Sequence, residues 1–580
     1  MPLSTTPLKI TRPLEVHMHR ILATTRSAIV LAAAIALAGP SAVAAPPRRI
    51  DPPRPASSMR AIPATAARGL FRSAAALMSK GATATSAPSV VPRVSREAAE
   101  KLAAAAKPYD QNRLRAGHLL RRAGFGPSPS DMTEVLTMGQ TAWIDMQLNP
   151  SAIDDSANES KFYPVPDPLV DDFGYSWDLH WMTRMLYSRK QLQEKMTLVW
   201  HEHMPVSIGK IGWGKPLHDY EQMLRRNSLG SFRQMLADLT RDPAMLIYLD
   251  NNYNSAFDYE GNPVPPNENY ARELLQLFST GPQLLNMDGT PVLNTDGTVR
   301  SAYTEEDVRE TARALTGWYI EDYREWTGSL FYEGFHDSGD KNILGQTLRG
   351  RSGPDGANEV EDVVDIIMDH PSTAPFISKM LIQKLATETP TPGYVQRVAT
   401  VFRNTDGNLK QTVRAILTDA EFTSDAVVRT QFKSPLEHLV GAARATETVT
   451  EGHSFYYWMY FTNHLPYLPP SVFSFYRPGK KGALVTASQV VFLDQIAEDL
   501  IDTYTDDYTD AEFSVRAILD NPKLKKPKKV VNYLGDRLLA APLDASTKTA
   551  LIEYFGGRIT EEKVRGAIWL ILTSPDFQRN

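Results

Sequence analysis

The sequence predicts a mainly α protein, a large multi-helical single domain with small inserted β-hairpins. Three observations predict it. Apolar residues recur at helical spacing through most of the chain, as in Leu192, Met196, Val199, Trp200 and Met204, at i, i+4, i+7, i+8 and i+12. Helix punctuation brackets such runs, with Ser, Thr or Asn before them and Gly or Pro after. The clearest strand signal is one short stretch in which two Asp-Gly pairs flank an apolar run.

The chain has 580 residues, 42% of them hydrophobic, and a formal net charge of -5. That length supports a large core. The mild negative balance carries no nucleic-acid footprint, which needs a basic face. There are no cysteines, which excludes a disulfide framework, a zinc–thiolate site and a cysteine nucleophile.

Residues 1–44 read as a signal peptide. His19, Arg20 and Arg26 precede the apolar run Ala28–Gly39, and Ala42-Val43-Ala44 is a small-x-small cleavage site. The run is too short to span a membrane. No Arg-Arg pair precedes it, so a twin-arginine route is not indicated. The expected product is exported, periplasmic or extracellular, with no membrane span in the mature chain. Residues 45–107, rich in Pro, Ala, Ser and Arg, read as a flexible linker, and 108–580 as the helical domain.

Within that domain the elements follow in order. Leu119, Leu120 and Ala123 share one face of a helix that Gly124 stops. Ser128 or Ser130 caps the next, which starts near Asp131. QLQEKMTLVWHEHM is a helix that Pro205 ends. Asn267 caps a helix running to Gly281 and Pro282. NMDGTPVLNTDGTVR, from Asn286, is the expected hairpin. Thr304 and Asp307 open a helix to Tyr319 in a capping-box pattern, with Val308, Ala312 and Leu315 as its apolar face. Phe376 to Phe422 reads as further helices. VRAILTDAEF at Val413 and VRGAIWLILTSPDF at Val564 echo one another, each ending in a Thr-x-x-acid-Phe turn.

Candidate chemistry centres on PPNENYARELLQLFSTGP, Pro265 to Pro282. At about 100° per residue, Tyr270, Ala271, Leu274, Leu275, Leu277 and Phe278 form one face, and Glu268, Asn269, Arg272, Glu273 and Gln276 the other. Glu268 and Arg272, at i and i+4, pair. Glu268 and Glu273 diverge by about 140°, so they are not a close carboxylate pair by themselves. The polar face has no lysine and is rich in amides, which suits one wall of a polar cleft. Asp250 in YLDNNYNS and Asp337 in FHDSGDK are candidate partners from other segments.

A glycosidase-type mechanism needs one carboxylic acid to protonate the leaving oxygen and a second carboxylate to attack or to activate water. Glu268 or Glu273 is the expected first partner and Asp337 or Asp250 the second. Arg272, Asn269, Trp200 and Tyr270 are the expected substrate contacts. The alternative is a divalent-metal site from His201, His203 and His336 with Asp337 or a glutamate. His201 and His203 share a face only if their turn is extended; in a helix they lie about 200° apart. HExxH, phosphate-loop, Gly-x-Ser-x-Gly and EF-hand patterns are absent. FSFYRPGKK, from Phe473, mixes rings with basic residues and suits a sugar or an anionic polymer.

Eight blocks taken together resemble one family. They are HLLRRAGFGPSPSDM at His118, EKMTLVWHEHMPVS at Glu194, NENYARELLQLFSTG at Asn267, DVRETARALTGW at Asp307, FHDSGDKNILGQ at Phe335, VFRNTDGNLKQTVRAILTDAEF at Val401, FKSPLEHLVGAARA at Phe432 and PPSVFSFYRPG at Pro469. Their order and content resemble the bacterial family named domain of unknown function 1800. The resemblance implies a helical, exported protein, often encoded beside a second exported family that resembles alkaline phosphatases; it implies no activity. Gln276 stands where the family usually has an acidic residue, and Glu202 where Asn is common. Three functions compete: an exported hydrolase of an extracellular polymer, a glycan first; a metal-dependent hydrolase or oxidase; and a non-catalytic envelope protein that binds or helps assemble the phosphatase-like neighbour.

Overall fold

A computed structural model describes residues 109–167, 174–320, 328–476, 487–501 and 510–580. The expected signal peptide and linker lie outside the described residues, as does the basic end of the stretch that starts at Phe473. The fold is mainly α: among the described residues the named strands form only two antiparallel two-stranded sheets.

Helix α1 (Gln111–Arg122) starts at Asp110, whose carboxylate accepts the backbone N–H groups of Asn112 and Arg113. It ends on two buried arginines. Arg121 donates to the Leu539 carbonyl, and Arg122 donates to the carbonyls of Lys384 and Leu385, at the end of the Thr373–Leu385 helix. Each guanidinium satisfies carbonyls left open at a helix end. The following helix, Pro129–Met138, begins at Ser128, not Ser130, with a capping box to Asp131.

Helices α2 (Tyr175–Tyr187), α3 (Gln191–His203) and α4 (Gly214–Asn227) pack at the centre. Helix α3 buries Leu192, Met196, Val199 and Trp200 as its period requires, and stays helical to His203, so Pro205 bounds the last turn without unwinding it. It also buries Glu194, Lys195 and Glu202. Buried charges need partners, and each has one. Glu194 takes Arg184 of α2 at 3.0 Å and Arg225 of α4 at 2.6 Å; Lys195 meets Glu437; Glu202 takes Lys384 at 2.7 Å.

The helix after Asn267 departs from its expected form. Helix α5 covers only Asn269–Glu273, and Leu274–Ser279 continues as a π-helix. The hydroxyls of Ser279 and Thr280 donate to the carbonyls of Leu274 and Leu275, five residues back, the same spacing as the widened turn. Gly281 then ends it at φ +74°, where a Cβ would strike the ring of Phe376.

The two Asp-Gly turns form, but not a simple hairpin. Leu284 donates to Arg300, Arg300 to Val292 and Val292 to Leu284, so three short extended segments close on one another. Asp288 and Asp296 brace the turns by accepting the N–H and hydroxyl of Thr290 and Thr298. Helix α6 (Glu305–Ala314) follows, with the capping box of Thr304 and Asp307 in place; it ends short of Tyr319 because Trp318 already belongs to a strand. Strand β1 (Trp318–Ile320) pairs with β2 (Ser329–Phe331), and β3 (Lys341–Ile343) with β4 (Gln346–Leu348). Leu344 and Gly345 join the second pair with positive φ at both positions, a type I′ geometry. The echoed Thr-x-x-acid-Phe turns share a packing role: Phe422 lies against buried His118, and Phe577 against buried His438.

Candidate functional site

The short helix Pro243–Tyr248 delivers Asp250 to α5. Asp242 caps it, accepting the N–H groups of Ala244 and Met245. Asp250 then adopts a left-handed backbone, φ +61°, uncommon for a non-glycine and typical of a constrained turn. Its carboxylate takes Lys210 at 2.8 Å and the Asn269 amide at 3.2 Å. The Asn267 amide donates to the Asp250 carbonyl, and Asn254 accepts the Asn267 N–H. The amides flanking α5 are therefore what fasten it to the Asp250 loop.

Glu273 lies one helical turn beyond Asn269, on the same side of α5. Its carboxyl is half-buried, and Oε2 is buried without a hydrogen-bond partner. Burial pushes its pKa up, against the pull of Arg272. Its charge acts in turn on Tyr248, whose hydroxyl burial and that charge push up to about 12, and on Tyr303. Tyr303 donates to Gln276 at 3.1 Å, so the Gln276 amide serves as an acceptor three residues past Glu273. One edge thus gathers an acid held toward its neutral form and a carboxylate paired with lysine. The family model described as protein of unknown function (DUF1800) matches residues 118–579. The chain belongs to this family. No curated protein and no solved structure matches it.

Other expected site residues of this DUF1800 chain stand elsewhere. Arg272 forks onto Glu305 at 2.9 and 2.7 Å and holds Glu268 at 2.9 Å, clasping α5 to the start of α6. Glu268 and Arg272 are thus partners in a surface ion-pair network. Asp337 is held by Arg313 at 2.7 and 3.0 Å; burial pushes its carboxyl up, but the Arg313 bonds outweigh this and hold it below the usual range. Arg313 lies eight residues past Glu305 on α6, about 12 Å of helix rise away, so Asp337 is not set against Glu268. Trp200 and Tyr270 are core residues, not substrate contacts. Both are fully buried; Trp200 donates to the Ser228 carbonyl, and the Tyr270 hydroxyl bonds that of Thr240.

The three histidines do not converge on one site. His201 is enclosed by Trp181, Tyr220 and Tyr467, with no hydrogen-bond partner on either ring nitrogen. His203 lies among Trp200, Phe278 and Phe376, its Nε2 3.1 Å from the Phe278 carbonyl. Burial pushes both down to about 4. His336 lies 3.2 Å from buried Glu359, which also binds buried Lys341 at 2.6 Å. Among the described residues no group of three or more His, Cys, Asp or Glu is arranged to hold a metal ion. The helical last turn of α3 is the physical reason for His201 and His203: it sends them to different sides.

Asp242 adds a pH dependence to the segment that carries Tyr248 and Asp250. Burial raises its carboxyl from 3.8 to about 7, against its two backbone hydrogen bonds. The folded state therefore holds a proton that the unfolded chain releases. The resulting stability is fully present below about pH 4 and is lost as pH rises through about 7. Asp242→Asn keeps a good cap and removes this titration. In melts at pH 5 and pH 8 the variant is expected to gain on wild type at pH 8; an equal difference at both values would refute the assignment.

Proposed function

We propose that this DUF1800 protein is an exported hydrolase of an extracellular polymer, a glycan, acting through carboxylate acid–base chemistry. The observation that carries it is the half-buried Glu273, with one unpartnered oxygen and a raised pKa, on the edge where Asn269 meets Asp250. Glu273 is the acid: its proton passes to the leaving oxygen as the glycosidic C–O bond breaks. Asp250, oriented by Lys210 and Asn269, is the second carboxylate, which attacks the anomeric carbon or takes a proton from the attacking water.

Exposed aromatic rings on adjoining turns suit a sugar chain. Tyr253 follows Asp250 in the Asn251–Tyr253 turn and is largely exposed. Tyr259, almost fully exposed, meets the Phe335 ring edge-on at 5.4 Å, and Tyr332 meets Phe335 at 4.8 Å. Such faces suit the apolar side of a pyranose. Reducing-end release from a panel of soluble glycans tests the proposal. Wild type is expected to turn over at least one glycan and Glu273→Gln to lose that turnover; a Glu273→Gln variant as active as wild type would defeat the mechanism.

A further inference from the structure

The sequence HSFYYWMYF forms helix α7 (His453–Phe461). Phe455 and Met459 are buried and anchor it, whereas Tyr460 and Phe461 are 56% and 54% exposed. Beside them lies an open cleft of about 380 Å³, lined by Met459, Tyr460, Phe461, Asn463, Leu465 and Leu468. Among the described residues no charged side chain lines it, and its polar side-chain groups are the Asn463 amide and the Tyr460 hydroxyl.

We infer that this cleft is a second glycan subsite, one that takes a neutral polysaccharide chain; the inference rests on the hydrolase reading above. The described lining is chemically suited to a neutral sugar: ring faces for the C–H side of a pyranose, an amide and a phenol hydroxyl for its hydroxyls, and among the described residues no charge to favour an ionic polymer. The rings are held in advance. Tyr460 stacks on Tyr456 at 6.4 Å and 16°, and Tyr456 meets Tyr175 edge-on at 4.4 Å. Tyr175 is fixed by a 2.6 Å hydrogen bond between its hydroxyl and His453 Nδ1. Fixed rings cost a ligand less ordering on binding.

Contacts join the cleft to the carboxylate edge. Tyr467 and Leu468 pack against the Ile208–Ile211 turn: Ile208 N–H donates to the Tyr467 carbonyl at 2.9 Å, and Gly209 lies against Leu468. The next residue, Lys210, holds Asp250. A chain lying across the cleft therefore leads over this turn toward Asp250 and Glu273. That continuity favours a polymer over an isolated small ligand.

Native gel electrophoresis of the full-length protein through soluble β-glucan, galactomannan and arabinoxylan tests the subsite without requiring turnover. Wild type and Glu273→Gln are expected to be retarded equally by at least one of them. Tyr460→Ala/Phe461→Ala is expected to weaken that retardation at least fivefold, and Tyr460→Leu, which keeps apolar bulk without the ring face, to weaken it severalfold. Tyr554→Ala, another exposed ring, is the control and is expected to leave it unchanged. Unweakened retardation of the Tyr460 variants, or a wild type that none of the three polysaccharides retards, overturns the subsite. Ring-dependent retardation without any hydrolysis upholds the subsite and counts against the hydrolase reading alone.

Discussion

Glu194→Ala is expected to destabilise the protein by about 3–5 kcal/mol, the usual cost of breaking a buried ion pair by removing one partner. Glu194 is wholly buried at the centre of the fold, with Arg184 and Arg225 on its carboxylate. Burial alone would push its pKa up; the two guanidinium groups outweigh that and hold it at about 2. Removing the carboxylate leaves Arg225 buried against Glu221 alone, while Arg184, partly exposed, turns to solvent. The ion pair need not be a net gain over apolar packing, and the prediction separates the two ideas. Glu194→Leu combined with Arg225→Leu is expected to cost less than the sum of the single changes, because each single change already loses the Glu194–Arg225 contact; the double variant still leaves buried Glu221 without Arg225. Urea unfolding of wild type, Glu194→Ala, the two single Leu variants and the double variant measures this. A single Glu194→Ala loss below about 1 kcal/mol, far short of the orphaned-charge penalty, would remove α3 as a buried charge spine.

Local rules made the helices legible. The capping box at Thr304 depends on residues three apart and formed as the sequence indicates, whereas the sequence left Ser128 and Ser130 as alternative caps and the structure takes Ser128, with a capping box to Asp131. The period of α3 placed Trp200 inside, and that of α5 placed Tyr270 inside; assigning either to substrate overrode a pattern already visible in the residues. The Glu268–Arg272 pair was legible from its spacing, but Glu305, the third member, lies 33 residues beyond Arg272 and is brought there by tertiary packing. The same holds for Arg313 and Asp337, and for Lys210 and Asp250. Chemistry-bearing residues in a loop give no sign of which distant cation will claim them. The π-helix at Leu274 was illegible for a related reason. It depends on the Ser279 and Thr280 hydroxyls and on Gly281 packing against Phe376, not on a period. At the hairpin expected from Asn286 each Asp-Gly turn is closed by an antiparallel bridge, Leu285 with Pro291 and Leu293 with Val299; what local turn signals could not specify is that the outer segments also bond one another, closing three segments.

Glu273→Gln is expected to lower kcat on a responsive glycan by about 10²–10⁴, the range for loss of a positioned general acid, with little change in KM. The substitution keeps the shape and the hydrogen-bonding reach of the side chain, so the fold and the Arg272 clasp are expected to survive. Glu268→Gln is the internal control. Glu268 is half-exposed and already bound to Arg272, and surface ion pairs contribute about 0–1 kcal/mol, so its kcat is expected to fall less than about threefold. The pH profile adds a readout that a structural role would not move. Burial raises Glu273, so it stays protonated to higher pH than an exposed glutamate, and the wild-type rate is expected to fall as pH rises through its pKa. In Glu273→Gln that alkaline limb is expected to vanish from the residual rate. Equal losses in the two variants, or an unchanged alkaline limb, would show that Glu273 is not the acid.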